Sequence, residues 1–156
     1  MEELISIRRA TAADSEAILA CLRAAFAPYE SRYTPGGYED TVLTPQSLRE
    51  RLKTMSVFVA VSEGNVIGTI ACATSGDEGH LRGMAVDPQW LGKDIAAKLL
   101  EAAEDELRKK RCRRITLDTT DPLERARHFY EKRGYRRSGR VTDFFGMPLT
   151  EYVKTL

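Results

Sequence analysis

Residues 81–107 read LRGMAVDPQWLGKDIAAKLLEAAEDEL, and the way this stretch divides decides which fold the chain can adopt. Leu81 to Val86 is short, apolar and free of breakers, whereas Ile95, Leu99, Leu100, Ala103 and Leu107 recur at helical spacing. The pattern predicts a strand that turns, through Asp87 to Lys93, into a helix of roughly residues 93–110. The first amides of such a helix have no partner within it, and its aligned peptide dipoles put partial positive charge there. A strand that feeds a helix N-terminus is therefore a place for a phosphate-bearing ligand.

On the N-terminal side, Ser56 to Ser62 alternates around Val57, Val59 and Val61, Glu63-Gly64-Asn65 supplies a turn, and Val66 to Ala73 continues, which predicts a hairpin. After the turn-rich Ser75 to Gly79, a strand from His80 to Val86 completes an antiparallel meander. Further back, Ile5 and Ile7 mark a first strand. Ile18, Leu19, Leu22 and Phe26 form the stripe of an amphipathic helix over roughly residues 12–27, capped by Thr11 or Asp14. Thr44-Pro45 opens a short helix that runs to about Lys53. Between these, Pro28 to Thr44 combines Pro35, Gly36 and Gly37 with Tyr29, Tyr33 and Tyr38, too many breakers for a regular element. Its tyrosines either border a site or pack on the body.

On the C-terminal side, Lys109, Lys110 and Arg111 end the long helix, a basic cluster that reads either as a phosphate grip or as cations complementing the helix dipole. Ile115 to Asp118 reads as a buried strand. Thr120 and Pro122 read as the cap and proline entry of a helix that ends on Gly134 in a left-handed turn. Tyr135 to Arg137 starts a sixth strand, Ser138 to Gly146 is an irregular connection, and Met147 to Val153 closes the sheet.

The 156 residues suit one domain, 1–156, and carry 24 basic against 23 acidic side chains, a formal charge of +1. That balance gives no reason to expect nucleic acid or an anionic membrane as a partner. No apolar run approaches the roughly 20 residues of a spanning helix, and Met1-Glu2-Glu3 lacks a leader's basic start. Cys21, Cys72 and Cys112 are widely separated, so we read them as buried, reduced thiols of a cytoplasmic protein. His80 and His128 have no carboxylate or thiol at ligand spacing, and no metal is expected.

Two segments and the element order carry a family resemblance. Met84-Ala85-Val86-Asp87-Pro88 matches a hydrophobic-x-Val-x-Pro strand ending, and Ala126-Arg127-His128-Phe129-Tyr130-Glu131-Lys132-Arg133-Gly134-Tyr135 matches A-x-x-[aromatic or Leu]-Y-x-x-x-G-[Phe or Tyr]. In these the chain resembles the acyl-CoA-dependent N-acetyltransferases of the GNAT superfamily. The resemblance implies an α/β (α+β) fold over nearly the whole chain: one mostly antiparallel mixed sheet of six or seven strands with helices on both faces. It implies acetyl-CoA as co-substrate, bound by Met84, Ala85 and Val86 on the strand and by Leu91, Gly92, Lys93, Asp94, Ile95, Ala96 and Ala97 in the phosphate loop. The loop departs from the family's Q/R-x-x-G-x-G/A, because Leu91 stands at the Gln/Arg position and Asp94 at the motif glycine.

The same resemblance assigns roles. Tyr130 aligns with the tyrosine that protonates the departing CoA thiolate. A thiol near pKa 8.5 and a phenol near 10 differ by about 1.5 units, a penalty of about 2 kcal/mol that positioning can offset. Phe129 and Tyr130 also read as core aromatics. His80 stands where many relatives carry a glutamate, and its ordinary pKa near 6.5 suits it to take the amine's proton; it reads equally as a solvated strand start. Asp94 would cost about 4 kcal/mol at 4 Å from a phosphate in a dielectric near 20. Either it acts as a built-in anion surrogate, taking the first-turn amides for itself, or it points away while Gly92, Lys93 and the amides hold the ligand. Two functions therefore stand: acetyl transfer to an amine of a small molecule, amino-acid derivative or peptide by direct attack in a ternary complex, or a GNAT-fold binding or regulatory protein that has lost the donor site. The resemblance fixes no acceptor and allows a homodimer through the last strands.

Overall fold

The computed structural model describes residues 4–156; Met1-Glu2-Glu3, read above for the lack of a basic leader, lie outside the described residues. Strands β1 (Ile5–Arg9), β2 (Ser56–Ser62), β3 (Asn65–Ser75), β4 (Glu78–Val86), β5 (Arg114–Thr120), β6 (Arg136–Phe144) and β7 (Met147–Thr155) form one sheet in the order β1-β2-β3-β4-β5-β7-β6. Neighbours are antiparallel except β4 and β5, which run parallel. The helices are α1 (Ser15–Phe26), α2 (Pro35–Val42), α3 (Pro45–Thr54), α4 (Ile95–Lys109) and α5 (Glu124–Lys132).

Strand alternation sends each face of the sheet to a different set of helices. Val57, Val59, Ala71 and Ala85 pack with Ile18, Leu22 and Phe26 of α1 and Leu48 of α3. On the opposite face Ala60, Ile70, Cys72 and Leu81 pack with Ile95, Leu99, Ala103 and Leu107 of α4. Full burial of each Leu or Ile is worth about 1.5–3 kcal/mol, so these two layers hold the sheet between helices as the expected architecture requires. The three cysteines are buried and unpaired within the same layers. Among the described residues no helix is long and apolar enough to cross a membrane.

Four local expectations are corrected. Pro28 to Thr44 is not irregular: a 3-10 segment, Ala27–Arg32, leads into α2. Thr34 caps that helix by accepting from the Gly37 amide at 3.2 Å, and Pro35 sits at its first turn. Its glycines allow close approach rather than breaking the helix, since a Cβ on Gly36 would lie 2.7 Å from the Phe145 ring. Second, Ser138 to Gly146 is largely strand. β6 pairs with β7 on both sides of a register shift between Arg137 and Val141, so the irregularity shrinks to a bulge. Because β6 is exposed along nearly all its length, it lacks the apolar alternation by which strands are read. Third, Thr120 is not a helix cap but the last residue of β5, its hydroxyl 2.6 Å from the Tyr33 hydroxyl. The end of α5 is as expected, with Gly134 at φ 93°. Fourth, Leu81 to Val86 does contain a breaker, because Gly83 takes φ 64° inside β4.

Candidate functional site

Gly83 is where the sheet opens. Pairing between β4 and β5 runs from Glu78↔Arg114 to Leu81↔Leu117 and stops there. On its other side β4 keeps β3, with the register shifting between Thr69 and Ala71, opposite Gly83. Met84, Ala85 and Val86 therefore stay in the sheet through β3 while their β5-facing edge diverges from its neighbour. Two cavities flank this splay, of about 330 Å³ and about 370 Å³. Phe26, Met84, Leu123, Ala126 and Tyr130 line both, so the cavities meet at Tyr130.

The cavity beside α4 gathers Met84, Ala85, Val86, Leu91, Gly92, Asp94, Ile95, Ala96 and Ala97, with Phe129 and Tyr130 of α5 and Arg133 at its end opposite. Of the residues expected on the cofactor side, only Lys93 is not among its walls; its ammonium lies 5.0 Å from the centre of the Trp90 ring. The helix begins at Ile95, later than expected, and Asp94 is its N-cap in left-handed backbone, φ 62° and ψ 18°. A side chain reaches the first-turn amides from extended N-cap backbone. From the left-handed conformation Asp94 makes no such cap bond, which overturns the expectation that its carboxylate takes those amides. Asp belongs with Asn among the non-glycine residues that tolerate this conformation, so it preserves the backbone shape of the motif glycine. Its side chain is exposed.

The second cavity is built from polar side chains. His80 Nδ1 lies 2.8 Å from Thr116 Oγ1, and Nε2 lies 3.8 Å from Asp118 Oδ2. If the Thr116 hydroxyl donates to the Gly79 carbonyl, 3.5 Å away, it accepts from Nδ1–H and Nε2 is the basic nitrogen; if it donates to Nδ1, Nε2 carries the hydrogen toward Asp118. Burial pulls the His80 pKa below its ordinary value, with Asp118 pulling the other way. Burial likewise pushes Asp118 up, opposed by His80. His80 is thus a strand residue held by two neighbours rather than a loose strand start.

Tyr130, 6% exposed, meets Phe129 edge-on at 5.3 Å and Tyr135 at 5.6 Å. Burial pushes its phenol well above the ordinary range, so it keeps its proton at neutral pH. It is at once a core aromatic and a wall of both cavities. Tyr33 does similar double duty, packing against Phe26 and Tyr38 while lining the second cavity. Asp40, Arg51, Arg82 and Asp118 escaped sequence reading. The available signals were a charged residue at Asp118 inside a buried strand and a glycine inside β4, which mark a polar site and a bulge.

Comparison with known proteins bears on this arrangement. The family model described as Acetyltransferase (GNAT) family matches residues 18–135. N-alpha-acetyltransferase 30 of Schizosaccharomyces pombe is 31% identical over 93 residues, covering 56% of this chain and 62% of that one. The match thus spans less than two thirds of that relative's length. The PaiA N-acetyltransferase of Thermoplasma acidophilum, solved in complex with coenzyme A, superposes with a TM-score of 0.82 at 20% identity, over 98% of this chain and 99% of that one. A ribosomal-protein-alanine N-acetyltransferase from Brucella melitensis gives a TM-score of 0.75 at 22% identity, over 97% and 99%. At these identities the structural likeness speaks for the fold.

Proposed function

This chain belongs to the GNAT acetyltransferase family, and from that premise we propose that it transfers an acetyl group from acetyl-CoA to a primary amine by direct attack in a ternary complex. The observation that carries the reading is the splay of β4 from β5, which leaves two cavities meeting at one buried tyrosine. The α4 cavity fits the donor. Its apolar walls suit the pantetheine arm, the diverging edge of Met84 to Val86 offers backbone bonds, and the α4 amides are not taken by Asp94. The solved coenzyme A complex of the Thermoplasma relative supports the same choice of donor.

In the second cavity the acceptor ammonium gives a proton to Nε2 of His80, directly or through water, and its nitrogen attacks the acetyl carbonyl carbon. A backbone amide among Met84 to Val86 meets the negative charge that develops on the carbonyl oxygen. The carbon–sulfur bond breaks, its electron pair leaves on sulfur, and the sulfur takes the Tyr130 hydroxyl proton. The proton shed by the new amide nitrogen returns to Tyr130, so the net release is one proton through His80. Burial makes Tyr130 a weaker acid, but the same apolar surroundings raise the cost of a thiolate, which keeps the transfer close to balance.

The test is calorimetric titration of the protein with acetyl-CoA at low salt, followed by an amine screen with a Tyr130→Phe control. Micromolar binding and amine-dependent release of free thiol are expected. Absence of binding would favour the non-enzymatic reading, in which Leu91 and Asp94 mark a lost donor site.

A further inference from the structure

Among the described residues, the second cavity holds a cation with no hydrogen-bond or ion-pair partner. Arg51, half-buried on α3, lines it together with Arg82 of β4, and among the described residues its guanidinium makes no hydrogen bond or ion pair. Arg82 does have a partner, Asp40 of α2, at 3.3 Å. The placement of Arg51 depends on a missing side chain: a Cβ on Gly83 would lie 2.5 Å from Arg51 Nη1. Burial first, and then the neighbouring Arg82 charge, press the guanidinium down to about 10, against a smaller pull from Asp40. Arginine does not give up its proton in a protein, so this pressure measures an uncompensated positive charge held away from water.

The charges around the cavity sort into two ends. His80 and Asp118 lie where an ammonium would be received and deprotonated. Arg82 follows His80 by two residues on β4 and so shares its face, at the roughly 6.6 Å spacing of alternate strand residues. Thr119 on β5 adds a further unsatisfied group, since its Oγ1 is the one buried side-chain nitrogen or oxygen among the described residues that lacks a partner. Arg51 and Arg82 against Asp40 leave one positive charge over at that end, which matches a monoanion better than a phosphate dianion. A volume of about 370 Å³ suits a small molecule.

We propose that the acceptor is a small amine that also carries a carboxylate, an amino acid or a close derivative, with the carboxylate received by Arg51 beside Arg82 and the amine presented to His80. This rests on the acetyltransferase reading for its chemistry but not for its binding. A guanidinium–carboxylate pair in a half-buried cleft supplies roughly 10- to 100-fold in affinity.

The experiment pairs common L-amino acids with their carboxamides, and adds phosphoethanolamine as the phosphate-bearing amine. Acetylation is followed as thiol release, and binding without acetyl-CoA by the shift in melting temperature. Wild type should prefer the preferred acid over its amide by at least about 10-fold in kcat/KM, chiefly through KM. Arg51→Gln should bring that ratio to within about threefold while calorimetric affinity for acetyl-CoA stays put. Arg51→Lys should restore part of it. If Arg51→Gln fails to fold, Arg82→Gln, at an exposed position, should lower the same ratio. Equal use of acids and amides by wild type, or a preference for phosphoethanolamine, overturns the proposal. Acid-selective thermal shifts that Arg51→Gln abolishes, with no acetylation of any amine, would uphold this proposal and overturn the acetyltransfer reading instead.

Discussion

The cavity beside α4 takes just over half of its walls from one run of chain, Met84 to Ala97, with α5 opposite, whereas the cavity beside His80 combines a run of β4, His80 to Met84, and one of β5, Leu117 to Thr120, with residues from α1, Tyr33, α2, α3, α5 and the β6–β7 hairpin. The first presents backbone edges, helix amides and apolar side chains; the second presents His80, Arg51, Arg82, Asp40, Asp118 and hydroxyls. A guest held by backbone and apolar walls depends on where the chain runs and little on which residues it carries. A guest held by side chains depends on each of them. The donor site should therefore tolerate the changes at Leu91 and Asp94, while the acceptor site should fail at single substitutions.

The sharpest cut runs through the residue common to both cavities. Tyr130→Phe keeps the ring among Phe129 and Tyr135 and removes only the hydroxyl, so it should lower kcat by about 10²- to 10⁴-fold with acetyl-CoA affinity within about threefold. A full-rate Phe variant would reduce Tyr130 to a core aromatic. Next in size, His80→Ala should lower kcat/KM by about 100-fold. In the wild type the base works when neutral, and burial lowers its pKa below the ordinary value. Activity should then hold through pH 6.5 and fall only at lower pH as His80 becomes protonated. Asp118 is the largest upward influence on His80, ahead of Glu151 and Glu78, while Arg82 acts downward. Asp118→Asn should accordingly move the acid limb of the pH–rate profile further down; a limb moving up would remove His80 as the base.

Gly83→Ala tests the join between the two cavities. Its φ of 64° and the 2.5 Å approach to Arg51 both oppose a methyl group. The strain should cost about 1–2 kcal/mol, lowering the melting temperature by roughly 3–6 °C. Displacement of Arg51 should raise the acceptor KM by about 10-fold, with acetyl-CoA affinity less affected. Equal losses at both sites would mean that the bulge supports the cavities as one unit.

The same contrast explains what could be read from the sequence. The strand–helix run from Leu81 to Leu107 and the Ala126 to Tyr135 segment are contiguous in sequence, so their motif resemblance pointed to the residues that wall the α4 cavity and to Tyr130. The walls of the His80 cavity come from distant elements that the sheet order brings together, and nothing local in Arg51 or Asp40 distinguishes them from ordinary surface charges. Gly36 and Gly37 misread as breakers because their reason lies across space, in Phe145, Met147 and Phe144. β6 misread as a connection because neither face is covered, and burial is what writes alternation into a strand.

The smallest expected effect is at Asp94, where the sequence raised the sharpest objection to a donor site. If the carboxylate occupied the first-turn amides, Asp94→Gly would free them and raise acetyl-CoA affinity by 100-fold or more, about 3 kcal/mol. In the structure the residue sits in left-handed backbone, exposed, with no cap bond to remove. What remains is like-charge repulsion in solvent, worth about 1 kcal/mol at 4 Å and screened over about 10 Å at 0.1 M salt. Glycine relieves the backbone cost of positive φ but adds unfolded-state entropy of about the same size, so the melting temperature should hardly move. Calorimetry should thus show a gain of no more than about fivefold at low salt, shrinking as salt is added. A gain of 100-fold that ignored salt would return Asp94 to the role of an internal anion, and the donor cavity would then depend on a side chain just as the acceptor cavity does.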